Sequence, residues 1–330
     1  MWDSRVTVVL PEYENPFPSK LNPFLEDIRG YDERLAQETG IIANPKQLAR
    51  YRRMGVPECS AWLYPTASLH DGKLLAVLMG WFFQYDDQFD GPLGLDVAGT
   101  RTVVARTKEV FDGHVPDRDD PFNYSIFDYC RRLRPGMSDP WWERFTADFK
   151  DYLDAYAWEA GLRAERRIPS FEEYRANRWN TGATMLAYDV IEQAERMTVP
   201  ERFFRHEAIQ RMFVAACNII NWGNDLLSLS KEALHKPFNN LVYVLHQQER
   251  CDLQEAVDRT YTLVRGLNAE VLAGQAEAPE IIEGLGLSPY EREDAQRWVT
   301  ALIYCLSGCI VFQLQSGRYS GERRVSIPVP

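Results

Sequence analysis

The chain has 330 residues, 45% of them hydrophobic and 12% aromatic, enough apolar mass for a large core; no Gly/Ser/Pro-rich linker divides it, so one domain over 1–330 is expected. A net charge of -11 excludes a nucleic-acid binder built on clustered Lys and Arg, and an anionic ligand must then be met by local cations or by metal. Cys59, Cys130, Cys217, Cys251, Cys305 and Cys309 show no CxxC pair or zinc-type histidine partners and read as reduced core thiols, and the scattered histidines exclude a hydrolase triad.

In chain order, the start Met1-Trp2-Asp3-Ser4-Arg5 lacks a basic n-region and an apolar h-region, so neither secretion nor organelle import is indicated. Asn44-Pro45 reads as an N-cap followed by proline. Leu74 to Phe83 is the one extended apolar run, short of the ~20 residues that span a bilayer, and the expectation is a cytoplasmic protein with no membrane partner. Leu74, Leu78, Trp81 and Tyr85 recur at helical spacing. Continuing that helix puts Asp86 and Asp90 one turn apart with Asp87 beside them. Like charges at the end of a buried helix cost several kcal/mol unless solvent or a cation compensates. A solvated helix end is the plainer alternative; the apolar density just before favours a cation.

Breaks follow at 113–121 and 134–140, where Asp139-Pro140 reads as another N-cap with proline. Ser170-x-x-Glu173 is a capping box whose helix must meet Gly182, and Gly inside a helix costs ~1 kcal/mol against Ala, so an interruption is expected there. Asn224, Ser228 and Glu232 then stand at i, i+4 and i+8. Each four-residue step advances ~400°, so the three oxygen-bearing side chains drift only ~40° per step along ~12 Å of one face. Amide, hydroxyl and carboxylate suit magnesium, although any polar helix face can show this spacing. After a break at 274–289, Ser288-x-x-Glu291 with Pro289 opens the last helix, and the tail past Gln315 is irregular. No alternating strand series, hairpin turn or repeat appears, so the fold class expected is all-α, without a Gly-rich phosphate loop.

The two acidic elements together carry a resemblance. Asp86-Asp87-Gln88-Phe89-Asp90 resembles the aspartate-rich motif of class I terpene synthases, and Asn224 to Glu232 matches that family's second metal motif at every specified position. The stretch Trp81 to Pro92 is similar to bacterial sesquiterpene cyclases of the pentalenene synthase kind. Arg178 lies at the interval before Asn224 where the family carries its diphosphate-sensing arginine, Gly182 where it has a glycine at a helix break, and Arg318-Tyr319 resembles its terminal pair. The resemblance runs from about Trp62 to Tyr319. Thr181 stands where the family often has an acidic linker, and Phe312 where many relatives carry a cation-facing tryptophan, departures that bear on arginine orientation and on product.

The resemblance implies a helical bundle around a deep apolar cavity, with 1–20 and 316–330 as candidate lid or mobile segments. It implies magnesium-dependent ionisation of a linear prenyl diphosphate, farnesyl diphosphate above the C20 alternative, and cyclisation to a sesquiterpene hydrocarbon or alcohol. Asp86, Asp90, Asn224, Ser228 and Glu232 would hold three Mg2+ ions with the bound diphosphate; Asp87 and Asp225 are accessory acids. Arg178, Lys231, Arg318 and Tyr319 would donate to the diphosphate, and Thr181 and Gly182 form the effector break. Trp62, Phe82, Phe83 and Phe312 are candidate cavity walls, ordinary core packing being the alternative for each. A homodimer is compatible with the sequence. A chain-elongating prenyl diphosphate synthase would carry a second aspartate-rich motif in place of Asn224 to Glu232, and a non-catalytic isoprenoid binder need not keep every ligand. Asp117-Arg118-Asp119-Asp120 matches the pattern with which class II cyclases protonate an alkene, but its proline-flanked setting reads as a solvated turn.

Overall fold

A computed structural model describes residues 4–232, 239–317 and 322–329. After strand β1 (Arg5–Val9) come helices α1 (Leu25–Glu38), α2 (Pro45–Met54), α3 (Val56–Leu63), α4 (Leu69–Asp87), α5 (Val97–Phe111), α6 (Pro121–Leu133), α7 (Asp139–Glu165), α8 (Phe171–Thr181) and α9 (Thr184–Glu195). There follow α10 (Glu201–Phe204), α11 (Glu207–Leu227), α12 (Leu229–Glu232), α13 (Leu241–Glu249), α14 (Leu253–Gly284), α15 (Pro289–Gln315) and strand β2 (Arg324–Pro328). The architecture is all-α apart from that one strand pair.

Local sequence rules account for the helix starts. The Asn44 side chain accepts from Gln47 N with Pro45 in the first turn, and Ser170–Glu173 and Ser288–Glu291 are reciprocal capping boxes. One start moves by a residue: Ser138, not Asp139, caps α7, leaving Asp139 in the first turn where the helix dipole favours an acid. Asp120 caps α6 through Asn123 N, and Asp117 accepts from Asp119 N, so the Asp-x-Asp-Asp run is the solvated turn expected.

Helix ends depart more. α4 stops at Asp87 with Gln88 as its cap, so Asp90 lies in the following turn and not on the helix. The regular helix is likewise interrupted at Ser228, yet Ser228 N still bonds Asn224 O at 2.7 Å and Glu232 N bonds Ser228 O at 2.9 Å, so the stripe keeps its helical spacing.

α11 lies against α14, α15, α13, α9 and α8, α4 packs on α3, α1, α6 and α9, and α7 packs on α5, α8 and α9. A side chain at Gly308 would collide with the Trp62 carbonyl, so this glycine lets α15 and α3 touch backbone to backbone. By length and composition α15 is the one helix among the described residues apolar enough to cross a membrane, a feature overlooked in reading Leu74–Phe83 as the only long apolar run. Its apolar face is spent on the core: Trp298, Leu302, Ile303, Leu306 and Ile310 are all buried against neighbouring helices.

The strand pair is the departure from a strandless expectation. β1 and β2 run antiparallel with Val6 opposite Ile327 and Val8 opposite Val325, and Val8, Val325 and Ile327 are buried. The ribbon rests on α12 and α14, and Tyr243 OH donates to Pro328 O at 3.1 Å. Its strands lie 321 residues apart at Arg5 and Ser326, so no hairpin turn announces it.

Candidate active site

A cavity of ≈ 290 Å³ opens between α4, α7, the α8–α9 junction, α11–α12 and α15. The α4 side contributes Met79, Phe82, Phe83 and Asp86, with Asp90 from the turn beyond it; α11–α12 contributes Ile220, Asn221, Asn224, Ser228, Lys231 and Glu232. Two oxygen-rich groups therefore share one cavity from different helices, as the paired motifs anticipate. Among the described residues no three of His, Cys, Asp and Glu form a ready metal cluster, since the carboxylates are divided between the two sides.

Two expected residues turn elsewhere. Asp87 faces α2, where it meets Arg50 Nη2 at 2.8 Å, and it does not line the cavity. Trp62 does not line it either: Cys59 and Leu63 occupy the inward face of α3, and Trp62 lies about 100° around the helix from Leu63. Phe82, Phe83 and Phe312 are in the wall as expected, Phe83 and Phe312 with ring centroids 5.8 Å apart. Arg318 and Tyr319 lie outside the described residues.

The break after α8 falls where the glycine suggests. Gly182 has φ −91° and ψ 2°, and it is Ala183, at φ 52°, that takes the left-handed conformation. The glycine answers to space instead: a Cβ there would strike Asn221 Oδ1 and press on Arg178 Nη1 at 3.0 Å. The last turn of α8 can thus lie directly on α11.

Behind this junction sits a buried ion pair. Arg178 Nε and Nη2 donate to Asp225 Oδ1 at 3.0 and 2.6 Å, Nη2 also reaches Asn224 Oδ1 at 3.1 Å, and Nη1 reaches Thr181 Oγ1 at 3.3 Å. The other Asp225 oxygen accepts from Tyr174 OH at 2.6 Å and Leu241 N at 2.7 Å. Burial pulls the Arg178 guanidinium pKa down, but Asp225, Tyr174 and Glu232 outweigh it and hold it above its ordinary value, so the group stays cationic. Burial and then Asp225 push the Glu232 carboxyl up, against the pull of Ser228, Arg178 and Asn240. Ser228 Oγ and Asn240 Nδ2 bond its two oxygens at 2.5 and 3.0 Å. Lys231 Nζ lies 3.7 Å from Asp90 and links the two sides across the cavity.

Sequence reasoning missed the α7 wall. Tyr152 and Tyr156 line the cavity with hydroxyls 2.5 Å apart, and burial, with Asp86 adding to it, raises both phenols well above their ordinary range. Below them Glu159 accepts from Arg163 at 3.2 Å and from Asn239 at 2.7 Å, and Asn239 also donates to Thr181 at 3.1 Å. The i, i+4 spacing of Tyr152, Tyr156 and the Glu159–Arg163 pair was the available signal. Arg163 Nη1 and Asn239 Oδ1 are buried without a hydrogen bond. The side chains of Asp86, Asp90, Asn224, Ser228 and Glu232 offer oxygen donors, a set that fits magnesium.

A family model described as "Terpene synthase family 2, C-terminal metal binding" matches residues 78–268. Pentalenene synthase of Streptomyces exfoliatus is 29% identical over 94% of this chain and 93% of its own length. The (+)-T-muurolol synthase of Roseiflexus castenholzii is 31% identical over 75% of this chain and 76% of its own. The crystal structure of germacradien-4-ol synthase from Streptomyces citricolor superposes with a TM-score of 0.81 at 24% identity, covering 94% of this chain and 98% of that one. At that identity the likeness speaks for the fold.

Proposed function

This chain belongs to the metal-binding terpene synthase family, and from that premise we propose that it is a class I sesquiterpene cyclase that ionises farnesyl diphosphate, releases diphosphate and closes the C15 cation to a hydrocarbon or alcohol. The observation that carries the reading is one apolar cavity with carboxylates of Asp86 and Asp90 on one side and Asn224, Ser228 and Glu232 on the other. Those five residues would hold Mg2+, three ions in the family's manner, whose bound charge would neutralise the leaving diphosphate.

The chain's own groups then divide the work. Arg178 and Lys231 donate to diphosphate oxygens, and Arg318 and Tyr319 carry the same role by resemblance. Because Arg178 reaches both Thr181 and Asn224, an anion drawn to it pulls on the α8–α9 break and on the metal stripe together. Thr181 and Gly182 place the carbonyl end of α8 toward the reacting carbon, a role assigned by resemblance. Phe82, Phe83 and Phe312 with Tyr152 exclude water and each stabilise a passing cation by ~1 kcal/mol.

The substrate length is inferred from relatives. The Roseiflexus relative is named for cyclising (2E,6E)-farnesyl diphosphate. Six free thiols with no disulfide support a reducing, cytoplasmic setting. Every side chain named in the site comes from a single chain, so the reading needs no second copy.

Purified protein incubated with magnesium and, separately, geranyl, farnesyl and geranylgeranyl diphosphates, with gas chromatography of the extract, tests the proposal. The expected result is a cyclic C15 product from farnesyl diphosphate. Absence of turnover, or elongated diphosphates on adding isopentenyl diphosphate, overturns it.

A further inference from the structure

Gln313 lines the cavity with one polar atom that no donor among the described residues engages. It follows Phe312 on α15, lines the cavity and is 5% exposed. Its Nε2 donates to Ile220 O at 3.5 Å and contacts Cys309 Sγ at 3.4 Å. A carbonyl only accepts, so the nitrogen must face Ile220 and Oε1 is turned away from it. No donor among the described residues reaches Oε1. The same cavity is lined by the apolar side chains of Leu63, Met79, Ile220 and Phe312. Asn221 Nδ2 is likewise engaged, by Thr184 Oγ1 at 2.7 Å and Cys217 O at 2.9 Å, while its Oδ1 lies against Gly182. A carbonyl oxygen that lines a cavity and has no protein donor can accept a hydrogen bond from a molecule inside it.

We propose that Gln313 holds a single water through Oε1 against the final carbocation, so that this cyclase makes a sesquiterpene alcohol. The inference rests on the sesquiterpene cyclase reading. In the terminating step a water lone pair forms the new C–O bond to the cationic carbon. The resulting oxonium, still bonded to Oε1, loses its proton to the diphosphate released in the same turnover, leaving a neutral alcohol. An amide oxygen suits this step because it accepts a hydrogen bond without being basic enough to take a proton from the carbon beside the cation. A carboxylate in its place would drive the olefin.

The test is turnover of farnesyl diphosphate with magnesium in 18O-labelled water, analysed by gas chromatography and mass spectrometry. The wild-type protein is expected to give a major alcohol carrying one 18O atom. Gln313→Leu and the near-isosteric Gln313→Met are expected to lower the ratio of alcohol to hydrocarbon by about tenfold, the scale of one lost hydrogen bond to the reacting water. Turnover to hydrocarbons alone, an unlabelled alcohol, or an unchanged ratio in a variant overturns the proposal. A Leu variant that fails to fold leaves the Met variant and the labelled wild-type reaction to decide. A wild-type protein that turns over no prenyl diphosphate overturns the cyclase reading itself, and this inference with it.

Discussion

Asn224 and Asp225 are neighbours with opposite duties. Asn224 faces the cavity and accepts one hydrogen bond from Arg178, whereas Asp225 is fully buried and holds Arg178, Tyr174 and the start of α13 together. Asn224→Ala should cut turnover by ~100-fold or more while shifting Tm by under ~2 °C. Asp225→Asn should lower Tm by roughly 5–10 °C, because it strands a buried guanidinium at a cost of ~3–5 kcal/mol. Calorimetry beside a turnover assay separates the two; equal stability losses would refute the division. A second buried acid sits away from the site. Burial pushes the Asp32 carboxyl up to about 7, opposed by the hydrogen bond from Tyr51 OH at 2.6 Å, while Glu33 and Glu58 add to the rise. A raised pKa favours the protonated folded form, so this group's contribution is complete below about pH 4 and is lost as pH rises through about 7. Asp32→Asn should therefore be more stable than wild type by on the order of 2–4 kcal/mol near pH 8 and by little near pH 4.5, as read from urea melts at both pH values. The Asn224–Ser228–Glu232 stripe was legible because i, i+4 spacing is a local rule, but the inward turn of Asn239 and Gln313 depends on how the segment before α13 and helix α15 pack, which no local pattern encodes.

Helix beginnings were easier to read than helix ends. A cap is a side chain bonding a backbone amide two or three residues on, and Asn44, Ser170 and Ser288 announce it in sequence. No comparable signal marks the stop of α4 at Asp87 or the interruption at Ser228, and both fall where the cavity needs side chains presented from a helix end. The ribbon of β1 and β2 was invisible for a related reason: its partners come from opposite ends of the chain. Close approach of elements leaves a different trace, a glycine without a turn. At Gly308 an added methyl would meet the Trp62 carbonyl, and two backbones cannot yield as a flexible side chain would. Gly308→Ala should cost ~1–3 kcal/mol through forced separation of α15 from α3 and should shift product distribution, since Phe312 and Gln313 lie one turn further along the same helix. Unchanged Tm and products would show that the contact relaxes freely.

At the scale of the molecule, a protein of charge -11 must hold a multiply charged anion. The cavity does not solve this with its own side chains, for Asp86, Asp90, Glu159 and Glu232 line it against Arg163, Arg178 and Lys231. All three of those cations are already engaged, Arg178 by Asp225 at 2.6 Å, Arg163 by Glu159 at 3.2 Å and Lys231 toward Asp90 at 3.7 Å. Diphosphate alone therefore approaches a mouth with no net positive charge, and only added divalent cation inverts its sign. Magnesium alone meets carboxylates divided between two sides and gains little without an anion to bridge them. Binding should thus be strongly coupled: either component alone should raise Tm by under ~1 °C, while the two together should raise it by several degrees, as ~3 kcal/mol of linkage at saturating ligand requires. Lys231→Ala should reduce that joint shift without altering the Tm of the free protein, because its only described ion pair is the long one to Asp90. Calorimetry across the four combinations of magnesium and inorganic diphosphate reads the coupling directly. A full shift from diphosphate alone would mean that the side chains suffice to hold the anion, and that the paired oxygen groups serve some other purpose.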